Sequence, residues 1–215
     1  MTVKNVIIVG KGGFSRECYA TLQLVMPYDR ELTFKGFLAY DCDSWDSERL
    51  SDKFLGNTEK YEFSDDDRLF LAIGDNTLRQ KAYEALKARG CSFMNLIHPF
   101  SYVDPSAVIG EGNFLGAGTS LSCDVRIGNC NILNGTVILG HDSTLGDFNF
   151  LGPFVQMLGR TSAGNRNVIA VSSIMLPETS IGDENSVSPA SVVYTRFRSR
   201  CRIHGNPAIK IGKRE

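Results

Sequence analysis

Residues 103–198 read VDPSAV IGEGNF LGAGTS LSCDVR IGNCNI LNGTVI LGHDST LGDFNF LGPFVQ MLGRTS AGNRNV IAVSSI MLPETS IGDENS VSPASV VYTRFR, sixteen hexads without an insertion. The first position is Val, Ile, Leu or Met in fifteen of them and Ala163 in the other. The second is glycine in eight, and the fifth is compact everywhere except at Phe197. An α-helix cannot hold this pattern, because six steps of about 100° carry each apolar residue away from the last. A triangular solenoid can. Each hexad supplies a short strand and a corner, three hexads close a coil, and first positions stack into inward aliphatic columns with coils about 4.8 Å apart. Small fifth positions fit the corners, and glycine is expected to supply the backbone freedom the turns demand. Sixteen hexads make a little over five coils.

Upstream the pattern changes. Residues 4–9 form a short buried strand, followed by Gly10-Lys11-Gly12-Gly13 and a helix reaching about Met26. Residues 34–40 and 68–73 are further strand candidates, and the latter runs into Gly74-Asp75-Asn76. A helix follows whose apolar face is marked by Leu78, Ala82 and Leu86, with Gly90 as its stop signal. Residues 91–97 make a last strand. Strands alternating with helices imply a parallel sheet with ligands at the carboxyl ends of its strands. The expected division is a small, Rossmann-like α/β nucleotide-sugar-binding domain over residues 1–97. A left-handed parallel β-helix with a C-terminal tail then fills residues 98–215. The glycine loop falls short of the dinucleotide fingerprint, since Ser15 stands where the third glycine belongs. It reads as a loop whose N–H groups, at a helix start, face one phosphate-bearing ligand, with a structural tight turn as the alternative.

Lysine plus arginine (23) nearly balances aspartate plus glutamate (24), which excludes a strongly basic nucleic-acid binder. No apolar run approaches the roughly 20 residues of a membrane helix, and the N-terminus lacks a signal-peptide pattern. Six cysteines lie scattered with no CxxC pair, which reads as reduced thiols in a cytoplasmic protein, without a disulfide frame or a zinc site. The run Arg196, Arg198, Arg200, Arg202 reads either as solvated surface or as a landing site for a ligand's phosphates.

Of three histidines, His98 and His204 sit at the domain junction and in the C-terminal turn, where structural roles suffice. His141 occupies a third hexad position, outside the inward columns, and Asp142 follows it directly. A carboxylate beside an imidazole fixes its tautomer and favours the imidazolium, as a general base requires; an exposed polar corner pair is the alternative. Eighteen residues on is Gly159, whose N–H lies one coil away, placed to receive a developing oxyanion. Asn134, seven residues before His141, is available to orient an acceptor group.

These residues, with residues 6–10, Ala72-Ile73-Gly74-Asp75-Asn76 and Arg79, Asn95-Leu96-Ile97-His98 and the terminal Gly205-Asn206-Pro207-Ala208, carry a resemblance across essentially the whole chain. The sequence resembles the hexapeptide-repeat acyltransferases that include sialic acid O-acetyltransferases and the N-acetyltransferases of UDP-linked 4-amino sugars. The resemblance implies His141 as base, Asp142 as its support, Asn134 on the sugar amine and the Gly159 N–H on the thioester oxygen. It places a sugar nucleotide on Gly10, Gly12, Gly13, Phe14 and Ser15, on Asp41, and on Gly74, Asp75 and Asn76. It implies a homotrimer with acetyl-CoA between neighbouring solenoids, contacted by Phe150, Gly159, Ala170, Val171, Pro207 and Lys210, and no metal. The chain departs from the family at Gly12-Gly13-Phe14-Ser15, where relatives read G-G-H-G or G-x-x-G-H-G, so one polar contact to the acceptor is lost. The expected activity is acetyl transfer to an amine, or a hydroxyl, of a sugar or nucleotide-linked sugar in bacterial surface-glycan synthesis. The alternatives are a sialic-acid-type O-acetyltransferase and a non-catalytic trimeric nucleotide-binding scaffold.

Overall fold

The computed structural model describes residues 4–41 and 53–214. The chain divides into two compact units, Met1–Leu96 and Ile97–Glu215.

The first unit contains β1 (Lys4–Val9), α1 (Gly13–Val25), β2 (Leu32–Ala39), β3 (Phe54–Asn57), β4 (Asp67–Leu71), α2 (Asn76–Ala88) and β5 (Ser92–Phe93). The strands pair in parallel in the order β3-β2-β1-β4-β5. Ile7 and Ile8 of β1, successive residues pointing to opposite faces, are both fully buried, as expected of a sheet covered on two sides. β3 was not foreseen, and the strand expected over residues 91–97 splits into β5 and Leu96–Ile97. On α2 the inward face is Arg79, Ala82 and Leu86; Leu78, expected to line it, is 57% exposed. A cation replaces a leucine in that interior because carbonyl groups lie within its reach. Near the amino end of β4, the buried Asp67 accepts from Lys35 Nζ at 2.7 Å and from the Ser64 N–H at 2.9 Å. Burial alone would raise the Asp67 carboxyl, but the Lys35 ammonium and the Ser64 N–H outweigh it and hold it below the ordinary range.

The second unit winds into a left-handed parallel β-helix with three faces. Face one carries Phe114–Leu115, Ile132–Leu133, Phe150–Leu151, Val168–Ile169 and Ser186–Val187, beginning at Leu96–Ile97 and closing on the antiparallel pair Cys201–Gly205 and Ala208–Lys213. Face two runs from Tyr102–Val103 through Ile138–Leu139 to Val192–Val193, and face three from Val108–Ile109 through Thr144–Leu145 to Ser180–Ile181. Every pairing between successive hexad strands is offset by 18 residues, as between Ser120 and Ile138 or Ile138 and Gln156. The first positions from Leu115 to Val193 are all buried and form one continuous core.

Gly112 and Gly118, at fourth hexad positions, take the left-handed backbone as expected (φ 72° and 71°), but the second-position glycines serve a different purpose. The left-handed conformation falls on the fourth hexad position, at twelve non-glycine residues that include Asp142 (φ 59°), Phe148 (φ 57°) and Phe154 (φ 62°). The second-position glycines are needed instead for close approach. A Cβ on Gly116 would lie 2.8 Å from the Gly135 nitrogen, and one on Gly152 would lie 2.8 Å from the Val171 nitrogen, both in the next coil. Along the edge between faces three and one, the fifth positions Asn113, Asn131, Asn149, Asn167 and Asn185 are buried and form a ladder. The Oδ1 of Asn149 accepts the backbone N–H of Asn167 at 2.8 Å and its Nδ2–H at 3.1 Å, and the same pattern repeats at each rung.

Three substitutions test the packing of the two units. Asn149→Ala removes an acceptor shared by two donors of Asn167, and losing buried hydrogen bonds of this kind costs about 1–3 kcal/mol, so thermal denaturation should show a clear loss. Thr144→Ala, on an exposed outward position, should leave the melting temperature within about a degree. Asp67→Asn should cost about 2 kcal/mol near neutral pH. Because the folded carboxyl is depressed, its contribution is present above the unfolded value of about 4 and is lost as pH falls through the lower, folded value. The stability gap between wild type and Asp67→Asn should therefore close below about pH 4 in chemical denaturation.

Candidate active site

His141 stands on the edge between faces two and three, in the corner that follows Ile138–Leu139. It is outside the core, with its side chain 49% exposed. Its Nδ1 lies 2.7 Å from Oδ2 of Asp142. Asp142 has left-handed backbone, and its N–H donates to the Cys123 carbonyl of the preceding coil at 3.1 Å. The carboxylate is thereby anchored and fixes the imidazole: Nδ1 is engaged, and Nε2 is left for chemistry.

Gly159 lies one coil on, directly beneath the ring. A Cβ there would sit 2.5 Å from Nε2, 2.7 Å from Cε1 and 3.0 Å from Cδ2 of His141. Only a residue without a side chain lets the imidazole lean across this position. The neighbouring N–H groups are used in the coil-to-coil ladder, Leu158 donating to the Met175 carbonyl at 3.0 Å and Arg160 to the His141 carbonyl at 2.8 Å. The Gly159 N–H meets no acceptor among the described residues. An open N–H beside an imidazole nitrogen is the pairing that acyl transfer requires.

The other expected residues of this unit are not gathered at His141 within one chain. Asn134 lies at the opposite end of Ile138–Leu139, on the edge between faces one and two. Ala170 and the exposed Val171 lie on Asn134's edge, two coils further on, while Phe150 is half-buried on face one. Pro207 and Lys210 are exposed, Pro207 in the turn of the closing hairpin and Lys210 on its last strand. The phenylalanines of adjoining coils do not form one surface patch, since Phe148 is buried and Phe154 is exposed on a different edge. Part of the basic run is spent internally: Arg200 Nε donates to Glu184 at 2.7 Å, and Glu184 also pairs with Arg166, which together hold its carboxyl below the ordinary range.

In the first unit, Gly12 and Gly13 are exposed at the start of α1, which has no side-chain cap and no acidic residue in its first turn. A helix N-terminus without a side-chain cap attracts anions. Gly10 has φ 147°, and a Cβ on it would lie 2.5 Å from the Ala72 carbonyl oxygen and 2.7 Å from Ser15 Oγ. Ser15 is thus packed under the loop rather than presented at its surface; it is buried, and its hydroxyl has no hydrogen-bond partner among the described residues. Asp41 accepts from Lys11 of the glycine loop at 2.6 Å. Asp75 caps α2 by accepting the Leu78 N–H at 2.8 Å, and Asn76 is buried. Sequence reasoning missed an apolar cleft of about 380 Å³ at the carboxyl ends of β2 and β4, lined by Tyr40, Ile73, Leu78, Lys81, Ala82 and Ala85. The exposed Leu78 was its only signal, misread as core. Among the described residues no three His, Cys, Asp or Glu side chains converge as a metal site would need, and no helix is long and apolar enough to cross a membrane.

Residues 5–86 match the PglD N-terminal domain family. The structure is similar over 98% of this chain, and 99% of that one, to PerB from Caulobacter crescentus in complex with CoA and GDP-perosamine, at 29% identity and a TM-score of 0.84. It is similar in fold to the acetyltransferase domain of PglB from Neisseria gonorrhoeae FA1090 in complex with acetyl coenzyme A (21% identity, TM-score 0.87, covering 97% of this chain and 100% of that one). The same holds for WeeI from Acinetobacter baumannii AYE (19% identity, TM-score 0.83, covering 98% and 100%). A curated relative, the uncharacterized protein L142 of Acanthamoeba polyphaga mimivirus, shares 33% identity over 64 residues, 30% of this chain and only 13% of the viral protein's length. With a PglD-type first unit and a hexad solenoid behind it, the chain is similar over its whole length to hexapeptide-repeat β-helix sugar N-acetyltransferases.

Proposed function

We propose that the protein transfers the acetyl group of acetyl-CoA to the amine of a nucleotide-linked amino sugar, with His141 as general base. The observation that carries this reading is the stack of Asp142, His141 and Gly159: a buttressed imidazole leaning over a glycine whose N–H is open. His141 Nε2 takes the proton as the amine nitrogen attacks the thioester carbonyl. The Gly159 N–H meets the oxygen of the tetrahedral intermediate, and the carbon–sulfur bond then breaks, with the proton passing to the departing thiolate. The bare backbone at Gly159 fits a thioester brought against it, because no Cβ obstructs the approach. Kinship at 28–29% identity with a perosamine N-acetyltransferase supports an amino acceptor over a hydroxyl. In the first unit, the uncapped start of α1, with no acidic residue in its first turn, suits a diphosphate, and the apolar cleft beside Tyr40 suits a nucleobase.

Asn134 and His141 occupy different edges of the same coil, and Ala170 and Gly159 occupy those two edges in successive coils. For Asn134 to hold an acceptor against His141, the two must come from different copies of the chain. The reading therefore includes a homotrimer, with acetyl-CoA lying where one solenoid's edge faces the next, and a place for the enzyme in the cytoplasmic synthesis of bacterial surface glycans.

Two experiments test these statements. His141→Ala should keep its fold and its affinity for acetyl-CoA while kcat falls by roughly 10²- to 10⁴-fold, and Asp142→Asn should lose less, since the base itself remains. Acetylation of a nucleotide-linked amino sugar by His141→Ala at close to the wild-type rate would rule out the mechanism. Separately, His141→Ala and Asn134→Ala should each be nearly inactive alone. Co-expressed, they should regain part of the activity, because mixed trimers contain some sites with both residues intact. Failure of every mixture to recover would place Asn134 and His141 outside a shared site.

A further inference from the structure

The parallel sheet of the first unit has one topological switch. From β1 the chain passes through α1 to β2 and β3 on one side, while β4, α2 and β5 continue on the other side of β1. In such sheets ligands bind outside the carboxyl ends of the two strands where the order reverses. Here those strands are β1 and β4, so the crevice lies between the glycine loop and the segment from Ile73 to Asn76. The two loops abut, since a Cβ on Gly10 would lie 2.5 Å from the Ala72 carbonyl oxygen.

Beneath the second loop sits Arg79, which is completely enclosed. Its Nη1 donates to the carbonyl of Ile73 at 2.7 Å and to that of Gly74 at 3.0 Å, and its Nη2 donates to Asn76 Oδ1 at 2.9 Å. A trans peptide is planar, and its C=O points opposite to the N–H of the next residue. With the Ile73 and Gly74 carbonyls turned inward onto the guanidinium, the N–H groups of Gly74 and Asp75 are turned the other way. Both residues are exposed, and neither N–H meets an acceptor among the described residues. The Asp75 carboxylate is turned aside, its Oδ1 accepting the Leu78 N–H. Behind the pair stand a permanent positive charge and the N-terminus of α2.

We propose that Arg79 is a positioning residue for nucleotide recognition: it presents the N–H groups of Gly74 and Asp75 as a pair of donors to acceptor oxygens of a nucleoside diphosphate at the switch point. The proposal rests on the sugar-nucleotide reading given above. Arg79 itself touches no ligand; it acts through the orientation of two peptide planes. Lysine cannot replace it, because one ammonium on a flexible stem does not reproduce a planar fork that reaches three acceptors.

The test uses UDP and GDP as probes on the full chain. In wild type, adding the diphosphate that binds should slow hydrogen exchange at the Gly74 and Asp75 amides. Arg79→Lys should weaken that diphosphate about tenfold, the scale of one good hydrogen bond, and raise the KM for the sugar nucleotide more than it lowers kcat. Its affinity for acetyl-CoA should stay within about twofold, a split that mere loss of folded protein would not produce. Unchanged exchange at both amides in nucleotide-saturated wild type would overturn the proposal even if Arg79→Lys failed to fold. So would a folded Arg79→Lys protein with wild-type nucleotide affinity. Wild type that binds neither UDP nor GDP would remove the nucleotide reading of this unit and the proposal with it.

Discussion

Backbone hydrogen bonding between coils, held in register at an offset of 18 residues, governs the second unit from Tyr102 onward. Once Ser120 pairs with Ile138 and Ile138 with Gln156, each side chain has one determined neighbour above and one below. Apolar first positions become a continuous core, and asparagines at the fifth positions become a ladder whose rungs satisfy one another. The same stacking decides where glycine is compulsory. At Gly116 and Gly152 it is the next coil's backbone that leaves no room, and at Gly159 it is the imidazole of His141. One geometric rule thus produces both a structural requirement and the open face on which the chemistry is proposed to run.

The hexads made the solenoid legible because their period matches no other regular structure, and the same arithmetic put Gly159 next to His141. It could not reveal the cause of each constraint. Glycine at the second position was read as a turn former, yet the left-handed positions are filled by residues such as Asp142, Phe148 and Arg160, and the glycines answer to neighbours far away in sequence. Distance along the chain likewise left the place of Asn134 open. In a triangular coil seven residues carry the chain across a whole face to the next edge, so within one copy Asn134 and His141 stand on different edges.

In the first unit, periodicity identified α2 but chose the wrong face by one residue. Leucine is ordinarily the interior residue and arginine the exposed one. The exchange of Leu78 for Arg79 depends on carbonyls at the end of β4, a tertiary circumstance that hydropathy cannot register. β3 escaped notice for a similar reason, being four residues long and half-buried at an edge of the sheet. The glycine loop was recognisable, but the role of Ser15 was not. Its hydroxyl faces Gly10 from below, so the residue that breaks the familiar glycine pattern belongs to the packing of the loop and not to its surface.

The triangular cross-section also sets which changes in chain length the architecture can absorb. Adding or deleting a full coil of 18 residues beyond Gly159 lengthens or shortens the prism and leaves every column above it in phase. Inserting a single hexad between His141 and Gly159 would preserve the aliphatic pattern and would still fold as β-helix by every local criterion. It would nevertheless turn the downstream chain by a third of a revolution, so that the glycine met a different edge and another residue came to lie under the imidazole. Drift in repeat number between His141 and Gly159 is therefore quantised by threes, although the hexads taken singly show no preference for any multiple.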